Sequence, residues 1–365
     1  MYWENAYSKW KSTIGGSFNK QDNYNQPGTG VVPVIPNYAS LSYGAFAIQR
    51  FQRDAWLLEA GVHYDYKYLN ADGYDMYSQR YGGEHNFHNF TYTLGGTMPL
   101  SRVSQLKSNI GVAWRAPQVN ELYSSGLHHG AGTYDLGDDK LESETGMKWV
   151  TSLLLNNENK RWNVNLDLYI QYIKNYIYDY PTGEVQTLFS GVYPIFQYTQ
   201  ANAFFRGADL DATVRLLNKN RVAQVGNPTS LDYHLKASVV WANEVKTGRY
   251  FPFIPAPRLS QSLEYNKTYR NSLLSRMSAS IGHTFVAKQT RFEPSQELVP
   301  TIPDAYHLFE ASIGGTLDIG KRQTLDIRLS AENLFNTEYK EYTNRFRYYA
   351  HDLGRNVYLR INYNF

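Results

Sequence analysis

The chain closes on GRNVYLRINYNF, in which Val357, Leu359, Ile361, Tyr363 and Phe365 alternate with Asn356, Tyr358, Arg360, Asn362 and Asn364. A two-residue period sends successive side chains to opposite faces, so this segment predicts a strand with one apolar and one polar side. The same period recurs upstream. Trp162, Val164, Leu166, Leu168, Ile170 and Tyr172 interleave with Asn163, Asn165, Asp167, Tyr169 and Gln171. Leu231, Tyr233, Leu235, Ala237, Val239 and Trp241 interleave with Asp232, His234, Lys236 and Ser238. Leu325, Ile327, Leu329 and Ala331 do so with Asp326, Arg328, Ser330 and Glu332. No long stretch carries a helical period. Strands are predicted over 8–18, 38–52, 55–69, 86–98, 104–114, 142–156, 160–179, 201–217, 229–245, 257–269, 272–286, 305–319, 322–333 and 354–365, about fourteen in all.

The connections between these strands alternate in length. Segments 19–37, 70–85, 115–141, 180–200, 246–256, 287–304 and 334–353 are long, and those between them are short, with 218–228 an intermediate misfit. Long loops at one end and tight turns at the other are the pattern of membrane-spanning barrels, with the long loops extracellular and the short turns periplasmic. Several strands also reach the ~9–11 residues that a tilted strand needs to cross a bilayer. A soluble sandwich would pack its apolar face inward. The opposite face would then have to stay in water, and here it carries Asp167, Lys236, Asp326, Arg328, Glu332 and Arg360 at strand after strand. The expected arrangement is therefore an all-β antiparallel transmembrane barrel, lipid outside and water or a polar plug inside. Trp56, Trp114 and Trp162 fall near strand ends, where an interfacial aromatic girdle is expected.

Composition agrees with this. The 365 residues include 32 Tyr and 27 Gly, aromatics make up 15%, and mean hydropathy is only -0.52. A barrel has such an average because only alternate residues face lipid. The absence of cysteine removes disulfides, thiolate metal sites and cysteine nucleophiles. A net charge of +3 without a concentrated basic stretch argues against a nucleic-acid partner. The opening MYWENAYSKW has neither a basic nor an apolar signal-peptide region, so none is expected in this sequence.

Linked motifs then point to a family. Asn333-Leu334-Phe335-Asn336, followed by Glu338-Tyr339, resembles the "NLF(D/N)xxY" segment of TonB-dependent outer-membrane receptors, and Gly354-Arg355 opens the last strand as in that family. Trp114-Arg115-Ala116-Pro117 with Glu121-Leu122-Tyr123 resembles its "(F/W)RAP…EL" box. Gly126, His128 and the run Gly137-Asp138-Asp139-Lys140-Leu141-Glu142-Ser143-Glu144 resemble the "GxH…GNxxLxxE" continuation. Leu353 stands where a proline usually precedes the glycine-arginine pair, and Asp138-Asp139 replace the usual asparagine.

The resemblance implies ~22 strands around a plugged lumen, of which about 14 are present here. It places 1–365 as one barrel domain, the C-terminal portion, with no plug domain in this chain. It also implies Phe365 as the terminal aromatic read by the outer-membrane assembly machinery, and residence in the outer membrane of a Gram-negative bacterium. The implied function is energy-coupled uptake of a scarce ligand, most of all an iron-siderophore complex, powered by a TonB-type energy-transducing complex.

Ligand contacts are expected in the long loops. In 115–141 the candidates are Arg115, Glu121, Tyr123, His128, His129 and Tyr134; in 336–352 they are Arg345, Arg347 and Tyr348, with Tyr349 and His351 beside them. Arg and His donors suit an anionic iron chelate, and the second loop alternatively suits lipopolysaccharide phosphates. Haem receptors of the family carry a histidine in the interval where His128 and His129 lie, so either is the metal ligand if the cargo is haem. His85 and His88, three apart on a strand, point to opposite faces and should not share a metal. No cofactor motif is found, nor a G-x-S-x-G, H-E-x-x-H or P-loop, so no enzymatic role is expected. A passive porin-like channel and a non-transport adhesive barrel are the competing expectations.

Overall fold

The computed structural model describes residues 1–29, 33–75, 78–157, 159, 161–218, 228–270, 272–299, 301–320 and 323–365. The chain runs β1 (Tyr2–Tyr7), β2 (Trp10–Asn23), β3 (Asn37–Arg53), β4 (Trp56–Tyr74), β5 (Arg80–Pro99) and β6 (Ser104–Arg115). A short helix α1 (Val119–Tyr123) and a small hairpin, β7 (Ser125–His128) and β8 (Thr133–Leu136), precede β9 (Glu144–Asn156). Then follow β10 (Trp162–Leu188), β11 (Gly191–Asn218), β12 (Thr229–Glu244) and β13 (Arg258–Thr268). The last are β14 (Leu274–Val286), β15 (Tyr306–Asp318), β16 (Thr324–Glu332) and β17 (Asn356–Asn364).

Every wall strand pairs antiparallel with the next, β1 to β6, β6 to β9, and onward to β17. Such a meander satisfies backbone donors and acceptors between neighbours, the condition for placing strands in lipid. The β7–β8 hairpin stands outside this series. It lies in the β6–β9 connection, where β8 pairs in parallel with the far end of β11 through Tyr134↔Ile195 and Gln197↔Leu136.

Register keeps the two faces unmixed. Between β16 and β17 the apolar pairs are Leu325↔Tyr363, Ile327↔Ile361, Leu329↔Leu359 and Ala331↔Val357, and the alternate pairs are Asp326↔Asn362, Arg328↔Arg360 and Ser330↔Tyr358. Val357, Leu359 and Ile361 are 58–59% exposed. The same outward sorting continues around the wall. On the inner face hydroxyls bridge strands, Ser260 to Thr284 at 3.0 Å and Ser280 to Ser312 at 2.8 Å. Like charges directly opposite repel, yet Arg328 escapes Arg360. Its guanidinium donates to Ser312 Oγ (3.3 Å) and Ser278 Oγ (3.1 Å), and the base of its side chain lies beside Gly314, where an added Cβ would come within 3.3 Å of Arg328 Cβ.

The buried apolar clusters lie at the long-loop end, where loops fold onto strand ends. One joins Leu69, Ala71, Val119, Leu122, Tyr123, Leu141 and Ile177; another joins Ala203, Ala242 and Phe251. Among the described residues the spanning part of the wall holds no such buried cluster, in keeping with a polar inner face.

Several sequence expectations need correction. The first strand, expected over 8–18, runs Trp10–Asn23 as β2, and an unexpected β1 precedes it: Ser8 takes φ 55° and turns β1 into β2. The expected loop 180–200 is strand to within two residues of its tip, since β10 and β11 stay paired to Leu188↔Gly191 through bulges at Ile173/Tyr176 and Pro181/Val185. Bulges are where a strand tolerates proline. Likewise β5 starts at Arg80, which shortens the expected loop 70–85 to 75–79. Trp114 is not placed in an outward girdle; its indole Nε1 donates to Asp65 Oδ2 of β4 at 3.1 Å. The misfit connection 218–228 lies, apart from its two ends, outside the described residues.

Candidate functional site: loops packed over the mouth

The 116–143 connection starts where Pro117 ends β6. The Gln118 amide donates to Glu121 Oε2 at 2.7 Å, capping α1 from within. Arg115 then ties both ends of the connection together. Its Nη1 donates to Glu121 Oε2 at 2.6 Å and its Nε to Glu144 Oε2, the first residue of β9, at 2.8 Å. Glu144 Oε1 also accepts from the Ile177 amide at 2.5 Å, anchoring the tall β10 extension to the same knot. Tyr123 is buried and its hydroxyl meets His85 Nε2 at 2.5 Å. His85 and His88 indeed point to opposite faces of β5.

Beyond α1 the β7–β8 hairpin carries His128, His129, Tyr134 and Asp135. Tyr134 is buried against β11. His128 is half-exposed, and its Nδ1 lies 3.2 Å from Asp135 Oδ2. Asp135, itself buried, also accepts from Thr133 Oγ1 at 2.6 Å. His129 is exposed.

The 333–355 loop closes over these elements from the other side. Asn333 and Asn336 adopt left-handed φ of 45° and 56°, which Asn tolerates better than most residues. Asn333 Oδ1 accepts from the Thr337 amide (2.8 Å), and Asn336 Oδ1 from the Arg355 amide (2.9 Å). The second bond links the NLFN segment to the start of β17, which gives this motif and the following Gly-Arg pair a common physical purpose. Further along, Arg345 pairs with Asp179 of the β10 extension and sits over the rings of Phe196 (5.0 Å) and Phe253 (5.5 Å). Arg347 is 3% exposed and donates to Glu297 Oε2 at 2.6 Å, with the Tyr342 ring 4.2 Å and the Tyr348 ring 4.6 Å away. Tyr342 and Tyr348 hydroxyls donate to the same carboxylate at 2.8 and 3.1 Å. Phe253, touched by both arginines, holds φ 58°, an uncommon conformation for a bulky residue.

Electrostatics follow from this packing. Burial pushes the Asp179 carboxyl up to about 6, with Asp135 adding to the rise and Arg345 opposing it. The carboxyl sits five residues past the last β9–β10 pair, Lys174↔Thr145, and so above the spanning part of β10. Burial likewise raises the Tyr348 phenol to about 12.

The nine candidates from sequence thus divide by position. Arg115, Glu121 and Tyr123 are occupied inside the 116–143 connection, and Arg347 and Tyr348 are interior braces of the 333–355 loop. Arg345 holds two loops together, and Tyr134 is buried in the hairpin. His128 and His129 are the candidates with open surface. Sequence reasoning missed Asp135, Asp179 and Glu297, which organise this end. Asp179 and Glu297 stand 166 and 50 residues from the arginines they face, and nothing near Asp135 sets it apart from Asp138 and Asp139, so no local pattern marked them. Among the described residues no group of three or more His, Asp or Glu is arranged to hold a metal ion.

Antiparallel wall strands, an apolar exterior, a polar inner face and interlocked loops at one end mark the wall of a transmembrane β-barrel. The family model described as TonB dependent receptor-like, beta-barrel matches residues 2–334. The chain belongs to the TonB-dependent receptor family, whose members are outer-membrane barrels of Gram-negative bacteria. Among solved structures it is similar to the copper transporter OprC, with a TM-score of 0.72 and 16% identity over 98% of this chain and 55% of that one. The FrpB iron transporter from Neisseria meningitidis matches with a TM-score of 0.67 and 13% identity, over 99% and 53%. The ferric yersiniabactin uptake receptor FyuA from Yersinia pestis matches with a TM-score of 0.59 and 13% identity, over 98% and 51%. At these identities the likeness is one of fold, and the chain spans about half the length of the structures it matches.

Proposed function

We propose that this chain forms the greater part of the wall and the outer mouth of a receptor that imports a scarce ligand across the outer membrane, the ligand being an iron-siderophore complex. The observation that carries the reading is the interlocked cap. Loops from four hairpins are bound to one another by Arg345–Asp179, Arg347–Glu297 and Arg258–Glu341, above a lumen lined by polar residues. A diffusion pore gains nothing from such a mouth; a receptor needs it to pre-organise a binding surface. Ligand contact falls to the exposed groups on this frame, His128, His129 and Tyr349, while Arg115, Glu121, Tyr123, Tyr134, Arg345, Arg347 and Tyr348 hold the frame in shape. Transport draws on a TonB-type complex, and catalysis plays no part. The test is uptake of radiolabelled ferric siderophores by cells whose sole source of this receptor is the full-length gene. Accumulation that stops when the energy-transducing complex is deleted supports the proposal. Uptake that persists unchanged supports the passive-channel reading instead.

One observation favours haem as the cargo. Asp135 engages His128 Nδ1, which leaves Nε2 free toward solvent, the arrangement by which carboxylates orient metal-ligating histidines. Growth on haem that fails in His128→Ala, while growth on ferric siderophore continues, would move the assignment to haem.

A further inference from the structure

The outward face of β11–β17 is almost free of charge, and what charge it has is of one sign. Following the register, its ionisable positions besides tyrosine are Arg206, Lys267, His283 and His307, with no carboxylate anywhere on it. Arg206 faces Trp241 across the β11–β12 ladder, three residues below Glu244, where the long-loop end of β12 begins. Its guanidinium lies 5.9 Å from the centre of the Trp241 ring. A second guanidinium, Arg291 from the 287–305 loop, lies 4.8 Å from the same ring.

Among the described residues these two cations have no carboxylate counter-ion. Neither takes part in an ion pair among the described residues, and Arg291 Nε is buried with no hydrogen-bond partner. The nearby Glu293 is engaged elsewhere, accepting from the Tyr250 amide at 3.0 Å. Burial weakens Arg291's hold on its proton, with Tyr250 opposing the shift and the charge of Arg206 adding to it. An uncompensated arginine pair is costly at the border of a bilayer unless an anion joins it. Directly beside it the outer wall is indented by an apolar groove of about 480 Å³, lined by Trp149, Leu168, Ile170 and Trp241.

We propose that Arg206 and Arg291 form a binding site for the phosphate of an outer-leaflet lipid, whose acyl chain lies in the groove along Leu168 and Ile170. A free anion would satisfy the charges but not the groove; a zwitterionic lipid would fill the groove but bring its own cation to the arginines. The phosphorylated lipid matches both. The site rests on the outer-membrane reading above and adds to it a specific lipid contact, away from the mouth and its cargo.

The test uses the full-length receptor, purified in detergent and loaded with bisphosphorylated lipid A against excess phosphatidylcholine, with retained lipid counted by native mass spectrometry. Retention should fall at least about tenfold in Arg206→Ala/Arg291→Ala and be partly kept in the Arg206→Lys/Arg291→Lys pair. Dephosphorylated lipid A should bind the wild type no better than the double alanine variant does. Equal retention by wild type and double variant overturns the site, as does displacement of the lipid by millimolar inorganic phosphate, which would indicate a simple anion site. Outer-membrane fractionation and heat-modifiable gel mobility are read on every variant. If the wild type itself lacks them, the outer-membrane reading has failed; if all variants keep them while retention is unchanged, only the lipid site has.

Discussion

Glu297→Ala should open the 333–355 loop without unfolding the barrel. The side chains of Arg347 and Glu297 are each 3% exposed and 2.6 Å apart, and both Tyr342 and Tyr348 spend their hydroxyls on the same carboxylate. Removing one member of a buried pair leaves the other charged and desolvated, a loss of about 3–5 kcal/mol. The two stranded phenols add to it, while relaxation and entering water subtract. A net destabilisation of about 3 kcal/mol raises the population of the opened loop roughly 100-fold at 1.36 kcal/mol per decade. Trypsin has sites at Lys340 and Arg345 inside this loop. Where opening is fast compared with cleavage, the cleavage rate follows the open population. The assay is therefore trypsin cleavage at those two positions in intact outer membranes, with heat-modifiable mobility as the control for the wall. Glu297→Leu combined with Arg347→Met should recover most of the protection, because an apolar pair removes the stranded charge. Cleavage of Glu297→Ala within about twofold of wild type would refute the reasoning and mean that this pair contributes nothing to loop order.

Other consequences can be checked alongside. The Asp179 carboxyl is raised from its ordinary 3.8 to about 6 by burial, so the docked loop binds a proton more tightly than the opened loop between those values. Docking is then firmest below pH ~4 and weakens as pH rises through 6, by up to about 3 kcal/mol. Loop protection should fall between pH 5 and pH 7.5 in the wild type, and Asp179→Asn should remove most of that dependence. Gly137→Ala should dislodge α1, since a Cβ there would lie 2.5 Å from the Leu122 backbone; unchanged protease resistance of the 116–143 connection would count against it. Replacing Phe365 by Ser should lower the yield of assembled receptor in the outer membrane while leaving the loop contacts of the assembled fraction intact, as quantitative fractionation and proteolysis would report.

The wall was legible in the sequence because lipid and water impose a two-residue period on it. In β16 and β17 the apolar and polar positions are unmixed, and the register observed between them is the one that period demands. Legibility ended where the wall rises out of the bilayer. In 180–200 the chain carries Pro181, Gly183 and Pro194, which read as loop, yet bulges at those positions let the β10–β11 ladder continue to its tip. The first hairpin was hidden for the opposite reason: Ser8 and Lys9 interrupt no alternation strongly enough to announce a turn. At the mouth, residue type was informative but its use was not. Arg345 and Arg347 read as donors for a ligand, and the structure gives both to acids far along the chain, Asp179 and Glu297. Which partner a surface-type residue meets depends on how loops stack, and no periodicity encodes that.

The central claim is that the apolar face of the wall meets lipid and the polar face meets the lumen. The chain contains no cysteine, so single cysteines can be placed at 357 to 362 and labelled with an environment-sensitive fluorophore in the full-length receptor. In bilayers containing brominated lipid, labels at Val357, Leu359 and Ile361 should be quenched, and those at Tyr358, Arg360 and Asn362 should not. Quenching that is uniform along the strand, or strongest at the polar positions, would contradict the account.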